Sequence, residues 1–173
     1  MKKLIVVPVL ALVLSLSACN GYSVASTTSR VIGAILQVAA AEEPNLPAVD
    51  QGAFTSFVTL GQTLNAQLGT CLTAANSSTL GKSGKFLACF NTFASGLNSP
   101  SELTALRLLS PATQAKVQLY ITGIVTGVNV AVAAFGGAQA ATPTVSQVQP
   151  TPAQLQQLAV DAHVDEVLSA LRN

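Results

Sequence analysis

Phe54, Phe57, Val58, Gly61, Leu64, Leu68, Cys71 and Leu72 recur at steps of three and four, the strongest periodic signal in the chain. A strand would put alternate residues on one face, so this spacing demands a helix with one apolar side to bury. A second stripe follows at Phe86, Leu87, Phe90, Phe93, Ala94 and Leu97, with Cys89 at its edge and Cys71 on the buried side of the first. Between the two lies the turn-like run Asn76-Ser77-Ser78-Thr79-Leu80-Gly81. Two aromatic-rich faces joined by so short a turn predict an antiparallel helical hairpin.

The rest of the chain repeats the same alternation of stripe and punctuation. Val31, Ile32, Ile35, Val38 and Ala39 mark a helix over 28–41 that the Pro44 to Pro47 stretch stops. Asp50 is placed to cap the helix after it. Ser99-Pro100-Ser101-Glu102 reads as an N-cap, a first-turn proline and the acid of a capping box, opening a short helix through Leu109. Ser110-Pro111 repeats the start signal at once. The segment 117–141 is uncharged and long enough to cross a membrane, but its residues sort by face. Val117, Ile121, Ile124, Val125, Val128, Val132 and Phe135 lie on one side, and Gln118, Thr122, Thr126 and Asn129 on another, which predicts a buried amphipathic helix. Gly123 and Gly127, four apart, permit close helix approach. Gly136-Gly137 ends that helix.

Residues 138–152, with Pro143, Pro150 and Pro152 among Thr, Ser and Gln, read as an extended linker. A final amphipathic helix is expected over 153–171, with Val160, Val164, Val167, Leu168 and Leu171 on one side. Leu155 and Leu158 point nearly opposite, so it packs in two directions or kinks. The expected fold class is therefore all-α: a small bundle of about four to five helices with a stapled αα-hairpin, and a Pro-rich linker to a C-terminal helix.

The N-terminus is an address. Lys2 and Lys3 precede an uncharged apolar run from Leu4 to Leu16, the length of a signal-peptide core and too short for a membrane span. Leu16-Ser17-Ala18-Cys19 then resembles the lipobox of bacterial lipoproteins. The resemblance implies that residues 1–18 are removed and that Cys19, diacylated on sulfur, becomes the mature N-terminus. It further implies a protein held on the membrane surface by its acyl chains. Asn20, where an Asp would favour the inner membrane, implies the outer membrane facing the periplasm. The resemblance covers about twenty residues and says nothing of the fold or function of the remainder. Domain organisation follows: signal peptide 1–18, helical domain 19–137, linker 138–152, and C-terminal helix 153–173.

With Cys19 assigned to lipid, Cys71 and Cys89 remain as an even pair in an oxidising compartment. Each lies nine residues from Leu80, so a hairpin folded there brings them level, and a disulfide is expected. Closing a loop of that size is worth about 3 kcal/mol in the chain-entropy view.

Only 9% of the chain is charged, and loss of Lys2 and Lys3 leaves six Lys and Arg against seven Asp and Glu. Nucleic acid is not an expected partner, because displacing its counterions needs a basic patch. No polybasic segment is present for anionic lipid. Catalytic, cofactor and metal residues are expected to be absent. The run ending Gly81-Lys82-Ser83 comes close to a phosphate-binding loop, but it lacks the first glycine and a preceding strand, so Lys82 and Lys85 read as surface charges. His163, the single histidine, lies in Asp161-Ala162-His163-Val164-Asp165-Glu166. On a helix His163 pairs with Glu166 and Asp161 with Asp165 on different sides, so one helix cannot close around a metal. The expectation is a non-enzymatic structural or protein-interaction module of the cell envelope. It is anchored through Cys19 and meets a protein partner or a second copy through its C-terminal helix. The alternative is carriage of a lipid or other small apolar ligand between the Ile121–Phe135 and Phe86–Phe93 faces.

Overall fold

Proline, serine and glycine decide where this chain breaks its helices. The computed structural model describes residues 21–164, so the leader, Cys19 with Asn20, and 165–173 of the expected terminal helix lie outside the described residues. Among them six α-helices run in order: α1 Gly21–Glu42, α2 Ala48–Asn76, α3 Lys82–Leu97, α4 Pro100–Leu106, α5 Pro111–Ala134 and α6 Pro152–Asp161. Among the described residues the protein is all-helical. Pro44 sits in a single 3-10 turn after α1, and Pro47 immediately precedes α2. Ser110 caps α5, with Pro111 at its first position. At the far end of α5, Gly136 adopts φ 74°, its N–H bonding Ala133 O at 3.0 Å while Gly137 N–H reaches Val132 O at 2.9 Å. This paired closure requires a left-handed residue after the helix, which glycine adopts without strain.

Some boundaries differ from the sequence reading. The chain is already helical at Gly21, the first described residue, seven residues before the helix expected from 28. Its first turns are rich in Ser and Thr, whose hydroxyls turn back onto their own helix: Thr27 Oγ1 donates to Ser23 O at 2.7 Å and Thr28 Oγ1 to Val24 O at 3.0 Å. Thr55, Thr63, Thr70 and Thr73 do the same along α2. Spent this way, a hydroxyl no longer competes for a non-helical conformation. Helix α4 stops at Leu106, short of Leu109, and the expected capping box does not form. Ser99 Oγ instead meets Ser101 Oγ at 3.0 Å.

Helix α1 packs along both α2 and α5, and α3 lies against α2. Ala25, Ile32, Leu36 and Ala39 of α1 are wholly enclosed. Phe54 of α2 meets Tyr120 of α5 edge-on at 6.2 Å, while Phe86 and Phe90 of α3 meet Phe135 at 5.3 and 6.4 Å. Burying a phenylalanine contributes about 1.5–3 kcal/mol, so these rings carry much of the core. Cys71 and Cys89 are joined by a disulfide, their Cα atoms 5.8 Å apart. Cys89 is buried and Cys71 exposed, the reverse of the expected placement. The inward line of α2 runs through Leu68, Leu72 and Ala75, leaving Cys71 on its flank, where the disulfide closes the hairpin from outside.

Two glycines of α2 test this packing. A Cβ on Gly61 would lie 2.5 Å from Leu36 Cδ2, whereas one on Gly69 meets nothing within 4 Å. Helix propensity alone favours alanine at both by about 1 kcal/mol. Gly69→Ala should therefore raise stability by up to that amount. Gly61→Ala should lower it by about 1 kcal/mol net, because overpacking a full core costs about 1–3 kcal/mol. Urea unfolding of the two variants reads both signs.

Candidate functional site

Asp50 lies in the first turn of α2 and is 1% exposed. A carboxylate so placed must find donors, and its own helix does not supply the cap that the sequence suggested. It crosses to the start of α5 instead. Asp50 Oδ1 accepts from Ser110 N–H at 3.1 Å; Oδ2 accepts from Ser110 Oγ at 2.5 Å and from Thr113 Oγ1 at 2.6 Å. One negative charge thus serves the positive ends of two helices. The hydroxyl bonds from Ser110 and then Thr113 hold its carboxyl below the ordinary value of 3.8, against the opposing effect of burial.

A second buried polar group organises the chain after α5. Gln118 is fully enclosed. Its Nε2 donates to Pro143 O at 3.1 Å, and its Oε1 accepts from Val145 N–H at 2.7 Å and Ser146 N–H at 3.2 Å. About three turns on, Asn129 binds both backbone groups of Ala140: its Nδ2 donates to the carbonyl at 3.1 Å and its Oδ1 accepts the N–H at 2.7 Å. Arg107 Nη2 donates to Thr144 O at 3.1 Å from outside. The segment read as a linker carries no helix or strand over 138–151, and these bonds fasten it as a strap to the polar stripe of α5.

The strap delivers α6, which opens on a capping box. Thr151 Oγ1 accepts from Gln154 N–H at 3.3 Å, and Gln154 Oε1 accepts from Thr151 N–H at 2.8 Å. Leu158 is buried where α5 has Gly123; a Cβ there would lie 2.8 Å from Leu158 Cδ2 and 3.5 Å from Ile35 Cδ1. Val160, expected on the inward stripe, is 59% exposed. The helix ends at Asp161 and His163 takes φ 49°, so the chain turns there, one of the two outcomes that the opposed leucines left open. The helical spacing of the 161–166 cluster therefore does not hold at His163. Asp165 and Glu166 lie outside the described residues.

Near α6, Glu42 is ion-paired with Lys116. Burial, with the negative charges of Glu42 and then Asp161, pushes the Tyr120 phenol up to about 12. An acid–base catalyst works best with a pKa near the operating pH. Asp50 is held ionised and Tyr120 held protonated, each far from neutrality. Among the described residues no three His, Cys, Asp or Glu side chains gather as a metal site. Residues 77–81 are a turn from α2 into α3, with no strand leading into it, and Lys82 and Lys85 are exposed in the first turn of α3. The arrangement is one of fastenings. Family models, curated proteins and solved structures show no match to this chain.

Two substitutions separate the fastenings. A lowered carboxyl pKa stabilises the fold above the unfolded value, and that stabilisation fades as pH falls through the folded one. Asp50→Asn should thus lower the melting temperature at neutral pH. Its deficit relative to wild type should shrink steadily as pH drops below about 4, where unfolded Asp takes up its proton. Gln118→Leu should cost about 1–3 kcal/mol by leaving Val145 and Ser146 N–H unpaired in an apolar site. Hydrogen exchange should then accelerate at those two amides before it does in α1 or α2.

Proposed function

We propose that the chain is a lipid-anchored, non-enzymatic structural or protein-interaction module of the bacterial cell envelope. In this reading Cys19 carries the acyl chains and the bundle stands on the periplasmic face of the outer membrane. The anchor is supported by the order of basic start, apolar run, small residues and Cys in the first nineteen positions. The module reading is carried by the use made of the buried polar side chains: Asp50 binds α2 to α5, and Gln118 binds the strap.

The finer architecture belongs to the same proposal. Helices α1 to α5 form the body, stapled at Cys71 and Cys89, and the strap presents the C-terminal helix on its side. Val148 and Val160 point outward there, at 67% and 59% exposure, beside a helix already seated through Leu158. Exposed apolar side chains on a strap and helix that are already held in place suit a partner protein or a second copy, since little ordering is left to be done on binding. Ligand carriage is less well supported. The two faces that would line the ligand space spend their apolar surface on each other, through Phe86 and Phe90 against Phe135.

Native mass spectrometry of protein gently extracted from its own membranes tests the proposal. The expected species carries a diacyl or triacyl mass and a second protein chain, and loses that chain in a Val148→Glu, Val160→Glu variant. An unacylated mass would remove the anchor. An acylated protein holding a non-covalent lipid-sized adduct, released on denaturation, would replace the module reading with carriage.

A further inference from the structure

The hairpin fixes which residues reach furthest toward the start of α1. Cys71 is bonded to Cys89, and Leu64 lies over Gly96, so the tip of α2–α3 falls at Leu80. Ser29 Oγ donates to Asn65 Oδ1 at 3.0 Å and Leu36 packs on Gly61, which sets α1 antiparallel to α2. By that register Gly21 is level with residues near 73–76. Lys82, four residues before Phe86 in α3, lies about 6 Å further toward the tip than Phe86, at 1.5 Å per helical residue. Tyr22 meets Phe86 at 6.2 Å, which ties the same end together. Cys19 is two residues before Gly21, and two residues span no more than about 7 Å. Chain length alone therefore keeps Cys19 within about 7 Å of Gly21, within reach of the level of the tip.

The tip has a composition found nowhere else among the described residues. Leu80 is 81% exposed, Lys82 and Lys85 are exposed one turn apart, and no acid stands in the first turn of α3. The described acids are Glu42, Glu43, Asp50, Glu102 and Asp161, none of them in the hairpin turn or in α3. Two lysines at a helix N-terminus oppose its dipole, so the fold itself gains nothing from them there.

We infer that the α2–α3 tip, through Leu80, Lys82 and Lys85, rests on the anionic headgroups of the bilayer that holds Cys19. The inference builds on the anchor reading above. A lipid surface supplies both complements, phosphate for the lysines and an apolar boundary for the leucine, within the screening length of about 8 Å at physiological salt. With Cys19 as the first fixed point and the tip as the second, the bundle stands upright on the membrane. The Asp50 end is then held away from it.

The chain contains no tryptophan, which makes the test direct. Leu80→Trp and, as the distal control, Leu108→Trp, itself 84% exposed, each introduce a single fluorophore at a position the core does not use. Acylated protein, its mass verified, is reconstituted in phosphatidylethanolamine–phosphatidylglycerol vesicles containing a spin-labelled headgroup lipid. Leu80→Trp should shift to the blue and lose most of its emission, and Leu108→Trp should keep both position and intensity. Adding Lys82→Gln and Lys85→Gln should restore much of the Leu80→Trp emission. Acylated, vesicle-bound protein with an unquenched tryptophan at 80, or with equal quenching at 80 and 108, overturns the upright placement and leaves the anchor standing. A mass without acyl chains overturns the anchor itself, and this inference with it.

Discussion

A carboxylate cut off from water has to be surrounded by donors, and that demand at Asp50 sets the register of the bundle. Ser110 N–H, Ser110 Oγ and Thr113 Oγ1 converge on it from sixty residues away, so α5 must begin where α2 begins. Once those two starts are locked, α1 has one place to lie, packed along both. The hydrogen bonds that hold the carboxyl ionised also satisfy the opening turn of α5, a part of any helix that has no partner within itself. Were Asp50 protonated, one of its oxygens would turn from acceptor to donor among three donors, and the junction would loosen at its centre.

The scarcity of charge throws the remaining work onto uncharged groups. Serine and threonine hydroxyls bond their own helices, so a polar surface is built without side chains that need ionic partners. Aromatic rings fill the end of the bundle where α1, α3 and α5 meet. The disulfide closes the hairpin from its outer flank and adds a constraint of about 3 kcal/mol to the unfolded chain without occupying core volume.

Local signals were legible and distant ones were not. Pro44, Pro47, Ser110, Pro111 and Gly136 act within a few residues of themselves, and the helix starts and stops they predict are those observed. The pairing of Cys71 with Cys89 followed from symmetry about Leu80, though which of the two is buried depended on the facing helix. Asp50 was legible as a cap and illegible as a cap for α5, because nothing near it in sequence names Ser110. Gln118, Thr122 and Asn129 were visible as a polar stripe, yet only the folded chain shows that Gln118 and Asn129 meet backbone eleven to twenty-eight residues on. Thr151-Pro152-Ala153-Gln154 carried a capping box in plain view, and Leu155 and Leu158, opposed to Val160, foreshadowed a terminal helix that could not run straight. Cys19, Asn20, Asp165 and Glu166 lie outside the described residues.

The polar stripe also explains how a helix such as α5 lives in a bundle. Both α1 and α5 are long and apolar enough to cross a membrane by length and composition, and half of the apolar stretch of α5 is buried within the fold. On its inner side the neighbours are α1 and the rings of α2 and α3. On another side they are the carbonyls and N–H groups of the strap, which Gln118 and Asn129 satisfy, while Thr122 Oγ1 accepts from Gln118 Nε2 and holds that amide in place. An apolar residue at 118 would leave those backbone groups buried and unpaired, at a cost that favours release of the strap. Release would bare a long uncharged helix face. The glutamine that fastens the strap therefore keeps that face of α5 covered by the fold's own backbone.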